Sequence, residues 1–367
     1  MKIVQVMPEF GLAGAEIMCE NLVYELIRHG HDVIIISMYD FHSAITHRLE
    51  NAGVDIRYLR KKSGLDLSVI FKIKRILKET KADVIHTHRY CAQYAIPAAI
   101  LAGVKRRVHT LHSIAKKENG KLARKLNKFF FKHCSLIPVA LSELNRDSIV
   151  EEYGIKKEKI PVIFNGINLS KCKPKENYSL NGTFKILHVG RFSPEKNHIG
   201  LLQAFKLFHK NHANTELWLI GDGEKKAEIE RYVYESGLAS NVRFLGLQST
   251  VYTYLRDADI FSLPSNYEGM PMTLIEAMGS GMPIVATKVG GIPNMLDEES
   301  ALLISTEVEA IANAFEMYYL DENLRKTHGL AALSRAKLFS AKKMAKNYLE
   351  IYYGQNEKQY GEFKQKR

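Results

Sequence analysis

Residues 258–287 read ADIFSLPSNYEGMPMTLIEAMGSGMPIVAT. The two ends, ADIFSLP (258–264) and MPIVAT (282–287), are short apolar runs of the kind that form buried strands. Between them a loop carries Glu268, Pro271 stands at the first turn of a helix, and Gly279 and Gly281 end it. Strand, helix and strand in this order make a parallel unit, because parallel neighbours need a crossover. Working outward, FKILHVG (184–190), TELWLIG (215–221) and NVRFLG (241–246) repeat the strand pattern, with helical periodicity between them. A polar break at 171–182 (KCKPKENYSLNG) separates this series from an earlier one: KIVQVM (2–7), DVIIISM (32–38), DVIHTH (83–88), RVHTLH (107–112) and SLIPVAL (135–141). The expected fold class is therefore α/β, with two Rossmann-like, doubly wound parallel-sheet domains, 1–170 and 171–340. A helix at 341–358 is expected to pack back on the first, and right-handed crossovers set the loops at the carboxyl ends of both sheets along one cleft.

The length agrees with two domains, since 367 residues exceed what one core usually fills. With 46% hydrophobic and 25% charged residues, the chain is neither disordered nor fibrous. The longest nearly unbroken apolar stretch, Ala95 to Val104, is half of what a bilayer crossing needs. The opening run, interrupted by Pro8 and Glu9, does not read as a secretory signal. Cys19, Cys91, Cys134 and Cys172 lie far apart and read as reduced thiols.

Charge is concentrated. Residues 61–135 hold 18 Lys and Arg against 4 Asp and Glu, a balance of +14 out of a chain total of +12. Within that region, 119–133 (NGKLARKLNKFFFKH) reads as an amphipathic helix with Leu122, Leu126, Phe129, Phe130 and His133 on one face. Lys121, Arg124, Lys125, Lys128 and Lys132 surround that face. Such a helix either lies on an anionic membrane or is a core-facing helix with a solvated basic side. Nucleic acid is disfavoured, because no binding motif accompanies the charge.

The loops carry the candidate chemistry. Gly11 and Gly14 in PEFGLAGAE lead into a helix, which suits a ligand approaching a helix amino terminus, although alone such a pair more often marks a plain tight turn. His86, His88, His109 and His112 come from two strand ends. A metal site there would lack carboxylates, so no metal ligands are assigned; His112 stands apart because it closes a strand at the expected cleft. An imidazole there can bond a substrate hydroxyl. Gly190 and Gly221 close the first two strands of the second series and are expected among the nucleotide-sugar-binding residues. Arg191 and Lys196, five residues apart in VGRFSPEKN, suit a diphosphate clamp or, equally, surface salt bridges. A hydrolase reading of Glu268 and Glu276 is opposed by their spacing, about 12 Å of rise if helical against about 5–9.5 Å between hydrolase carboxyls. Separate roles fit better: Glu268 facing the reacting sugar, Glu276 accepting from ribose hydroxyls, and the N–H groups of Met272, Thr273 and Leu274 holding phosphate.

These segments resemble the GT-B glycosyltransferases, specifically glycosyltransferase family 4 (the retaining, group 1 type). The likeness runs through GLAGAE, VHTLHS, VIFNGIN (162–168), HVGRFSPEKN, LIGDGE, NVRFLG, ADIFSLPS, the Glu268-x7-Glu276 element and PIVATKVGG, in fixed order over nearly the whole chain. It implies that Arg191 and Lys196 bind the donor diphosphate, that His112 and Glu268 lie near the transferred sugar, and that Glu276 takes the ribose. Gly14 is implied to approach the donor phosphate or the acceptor. It also implies a metal-independent reaction that retains anomeric configuration, the leaving phosphate taking the acceptor proton. Departures occur at Asn168, where aspartate is common, at Asn294, where glutamate often follows the glycine pair, and in DEESALLI, which replaces a usual glycine-bearing turn. The last two border the donor pocket and bear on donor identity.

The resulting expectation is a cytoplasmic hexosyl- or N-acetylhexosaminyltransferase, peripheral on the inner face of the membrane. It would move a sugar from a nucleotide-sugar substrate, UDP favoured, to a saccharide or lipid-linked acceptor in capsule, exopolysaccharide or lipopolysaccharide assembly. No cofactor is implied. The competing readings are a catalytically silent nucleotide-sugar-binding subunit and a nucleotide-sugar hydrolase or epimerase on the same fold.

Overall fold

The computed structural model describes residues 1–11, 13–118 and 120–354. The chain divides into two compact units. One comprises Met1–Gly166 with the helix Ala341–Tyr353, and the other Ile167–Ser340. The boundary falls a few residues before the polar break because Ile167 donates its N–H to the Phe339 carbonyl (3.1 Å) and bridges Ser340. Residues 167–170 are thereby tied to the second unit. The helix expected to reach residue 358 is described to Tyr353; most of the tail expected at 354–367 lies outside the described residues.

The first unit holds a six-stranded parallel sheet, β1 (Lys2–Met7), β2 (Asp32–Ser37), β3 (Asp55–Tyr58), β4 (Val84–His88), β5 (Arg106–Thr110) and β6 (Leu136–Val139). Their spatial order is β3-β2-β1-β4-β5-β6. The second holds β7 (Phe184–Val189), β8 (Thr215–Ile220), β9 (Val242–Gly246), β10 (Ile260–Leu263), β11 (Ile284–Thr287) and β12 (Leu302–Ile304), ordered β12-β11-β10-β7-β8-β9. Both orders reverse direction beside the first strand of the unit, which is where ligands bind in open α/β sheets. One face of the central strands is apolar and covered by helices: Val4, Val6, Ile34, Ile36 and Ile85 pack against Ile73, Leu77, Ala95 and Ala98. In the second unit Ile186, Leu217 and Leu219 pack against Leu201, Phe205 and Phe315.

The basic helix spans Lys121–His133 and is packed differently from the single-face expectation. Phe130 and Asn127 turn inward, whereas Leu122, Leu126 and Phe129 face solvent, Leu122 at 73% and Phe129 at 53% exposure. The hundred-degree step per residue accounts for this, since Phe130 lies nearer the Asn127 side than the other apolar residues do. Arg124 pairs with Glu152 (3.1 Å). Lys121, Lys125, Lys128 and Lys132 make no ion pair among the described residues. No helix of the described residues is long and apolar enough to cross a membrane.

Candidate active site

In the second unit the backbone brings two strand ends together before any side chain is considered. A Cβ on Gly221 (φ +144°) would lie 1.9 Å from the Gly190 carbonyl oxygen, so only glycine lets the ends of β7 and β8 close up. The chain then runs past exposed Arg191 to Lys196 and into the helix His198–Asn211. Arg191 makes no ion pair among the described residues. Lys196 Nζ donates to Glu268 Oε1 at 2.6 Å, and the Ser265 hydroxyl donates to the same oxygen at 2.6 Å. Both charged groups are sheltered, at 17% and 8% side-chain exposure. The two residues singled out separately in sequence are thus one pair. Surface salt bridging does not describe it, because the partner is a buried carboxylate in the loop that follows β10.

Glu268 is held from behind by a residue that sequence reading left without a role. Gly290 (φ +56°) passes so close that a Cβ would fall 1.7 Å from the Glu268 carbonyl oxygen, and the Gly291 N–H donates to that oxygen at 3.1 Å. Its signal was the glycine pair in KVGG, which marks a close backbone approach.

The helix Met272–Gly279 starts after Pro271 and has no side-chain cap. One expected phosphate donor is corrected here: the Leu274 N–H already donates to the Pro271 carbonyl (3.2 Å), because the first turn tightens. Met272 and Thr273 retain N–H groups without an intrahelical partner. Glu276 lies on the same helix. Burial raises its carboxyl to about 7, against a hydrogen bond from Tyr252 and the charge of Lys171, which both favour the ionised form.

The first unit supplies a second constellation. Gly14 is the first residue of the helix Gly14–Arg28, whose N-cap Ala13 offers no side-chain bond. Glu16, buried in its first turn, pairs with Arg89 Nη1 at 2.9 Å. Arg89 follows β4 in a left-handed conformation (φ +53°). His112 follows β5 and bonds through Nε2 to His88 Nδ1 (3.0 Å). Burial, the Arg89 charge and His109 hold His112 down at about 3, so its imidazole is neutral. His86 and His109 are buried and bonded to Thr110 and Thr87. No group of three metal-ligating side chains converges among the described residues.

Comparison with known proteins accounts for both halves. Residues 12–171 match Glycosyltransferase Family 4, and residues 173–334 match Glycosyl transferases group 1. The chain is a family 4, group 1 glycosyltransferase. Of curated relatives, the transferase is 28% identical over 268 residues to the Escherichia coli UDP-Gal:alpha-D-GlcNAc-diphosphoundecaprenol alpha-1,3-galactosyltransferase, covering 68% of this chain and 69% of that one. It is 25% identical to the amylovoran biosynthesis glycosyltransferase AmsK of Erwinia amylovora, over 87% of this chain and 90% of that. Its fold matches Anabaena HepE, solved with UDP and glucose, at a TM-score of 0.83 and 20% identity, covering 96% of the transferase and 100% of HepE. The GT-B architecture is therefore that of this transferase.

Proposed function

We propose that the transferase moves a sugar from a UDP-sugar to a lipid-linked saccharide in bacterial polysaccharide assembly, with retention and without a metal. The observation that carries this reading is the sheltered Lys196–Glu268 pair, joined in chain order by Arg191, which makes no ion pair among the described residues, and by the helix Met272–Gly279, which has no side-chain cap. In the step proposed, the bond from the anomeric carbon to the diphosphate oxygen breaks. The acceptor oxygen bonds the same carbon on the same face, and its proton passes to the leaving phosphate. Negative charge grows on the diphosphate, so Arg191, Lys196 and the N–H groups of Met272 and Thr273 stabilise the transition state more than the bound donor. Glu268 is assigned to the sugar, Glu276 to the ribose, His112 to a sugar hydroxyl, and Gly14 to the approach of phosphate or acceptor. A lipid-linked acceptor is supported by the E. coli relative and by a Campylobacter jejuni relative, 29% identical over 58% of this chain and 59% of its own, both named for diphospho-undecaprenol substrates. The test is a thermal-shift panel of UDP, GDP and ADP followed by transfer assays. UDP at a hundred times its Kd should stabilise by about 2.7 kcal/mol. A shift with GDP or ADP alone would overturn the UDP assignment. Binding without transfer would indicate a silent subunit, and full-rate sugar release without acceptor a hydrolase.

The same reading places the enzyme on the inner face of the cytoplasmic membrane. Exposed Leu122, Leu126 and Phe129 beside four unpaired lysines suit an anionic surface. Vesicles containing anionic phospholipid should carry the protein upward in flotation, and the triple change Lys121→Glu, Lys125→Glu, Lys128→Glu should abolish it. Wild-type protein remaining at the bottom would leave a soluble acceptor.

A further inference from the structure

Beneath His112 runs a continuous buried hydrogen-bond chain, and it lies wholly within the first unit. His112 Nε2 meets His88 Nδ1 (3.0 Å), and His88 Nε2 meets Gln5 Oε1 (3.0 Å). Gln5 Nε2 donates to the Tyr352 hydroxyl (3.3 Å), which bonds His86 Nδ1 (2.6 Å). His86 Nε2 then meets Thr110, and Thr110 meets the Tyr348 hydroxyl, both at 2.8 Å. Gln5, His86, His88, Thr110, Tyr348 and Tyr352 are all essentially without solvent contact. Tyr348 and Tyr352 belong to the helix Ala341–Tyr353, which the mechanism above does not use.

With the Gln5 amide turned so that Oε1 faces His88 and Nε2 faces Tyr352, the bookkeeping of donors sets the protons along this chain. An amide oxygen only accepts, so His88 must carry its proton on Nε2. Burial keeps His88 neutral, which leaves its Nδ1 bare. That bare nitrogen can only accept, so His112 must carry its own proton on Nε2, and its Nδ1 is left as a lone pair. Among the described residues Nδ1 of His112 has no hydrogen-bond partner.

We propose that Gln5, seated by Tyr352 of the final helix, is a positioning residue that sets the tautomer of His112, so that this imidazole offers the reaction an acceptor nitrogen at Nδ1. The ligand group it recognises is accordingly a hydroxyl that donates, not an anionic oxygen. The proposal rests on the transferase reading for its catalytic part, whereas the tautomer itself is measurable without any substrate.

The experiment uses the full chain labelled with ¹⁵N-histidine at pH 7, the His112 signals being assigned by their loss in His112→Asn. Wild-type protein should show a bare Nδ1 and a protonated Nε2 on His112. In Gln5→Leu the protonated His88 Nε2 would be buried without an acceptor, a state disfavoured about tenfold or more. The proton then shifts to His88 Nδ1, and His112 is driven to carry its own on Nδ1. Turnover should fall about tenfold with the KM for donor nearly unchanged, because the correct tautomer survives in the minority of molecules. Tyr352→Phe, which keeps the ring volume, should move the same signals in the same direction by less, and it serves if Gln5→Leu does not fold. A wild-type His112 protonated on Nδ1 would overturn the proposal, as would unmoved His112 signals in both variants. A reversed tautomer with full turnover would remove the positioning role. If wild-type protein transferred no sugar at all, the nitrogen signals would still decide the relay separately from the transferase reading.

Discussion

Lys196→Ala should lower turnover about a hundredfold, the usual scale for deleting one group that stabilises charge growing in a transition state. The structure explains why so much rests on one ammonium. Its Nζ is already fixed by Glu268, which Ser265 fixes in turn, so the cation needs no reorganisation when the diphosphate departs. Arg191, exposed and unpaired, is less well placed in advance and cannot compensate. Removing Lys196 also leaves a nearly buried carboxylate with only a hydroxyl for company, and breaking such a pair destabilises a fold. The thermal midpoint must therefore be measured beside the rate. Glu268→Gln supplies the comparison, since it retains an acceptor for both Lys196 and Ser265. A Lys196→Ala protein with wild-type kcat/KM would refute the diphosphate clamp. A rate loss explained wholly by unfolding at the assay temperature would reduce Lys196 to a structural role.

Glu276→Gln should weaken nucleotide binding about thirtyfold at pH 8, since a hydrogen bond to a charged group contributes ~2 kcal/mol. The pH dependence is diagnostic. With the carboxyl raised to about 7, ribose hydroxyls meet a fully ionised acceptor only above neutrality. Wild-type affinity for UDP should therefore rise from pH 6 to 8 and then level off, and the glutamine variant should lack this slope. Stability should respond in the opposite sense. The folded state holds this proton more tightly than the unfolded chain, so the contribution is complete near pH 4.5 and is lost as pH rises through about 7. Above pH 7 the glutamine variant should thus melt higher than wild type while binding worse. UDP affinity that is flat with pH and equal in the two proteins would remove Glu276 from the ribose.

Much of this was legible in the sequence because apolar runs and helical periods state burial directly. Ten of the twelve strands of the described residues announce themselves in that way. The two that did not, β3 and β12, are the outermost of their sheets. DIRY (55–58) is only partly buried and carries two charges, and LLI (302–304) is three residues long, so neither contains an apolar run to find. The donor-side residues were visible one at a time, as glycines, cations and carboxylates at strand ends. Their pairing was not, because Lys196 and Glu268 are 72 positions apart and only the order of β7 beside β10 joins them. Gln5 was hidden for a different reason: a single amide in KIVQVM looks like noise in a strand until the partner from residue 352 is known. The basic helix shows the limit of face counting, since one apolar set splits between Phe130 facing inward and three residues facing out.

The first unit is made of both ends of the chain, with the second inserted between them. During synthesis, Gln5 and His86 leave the ribosome more than 260 residues before Tyr352 can reach them. The inserted unit has all of its strands long before then and can fold first. Until then Gln5 and His86 lack the Tyr352 hydroxyl that they bond in the folded unit. A nascent chain arrested just before the last helix would therefore hold every residue of the second unit but not all of the first.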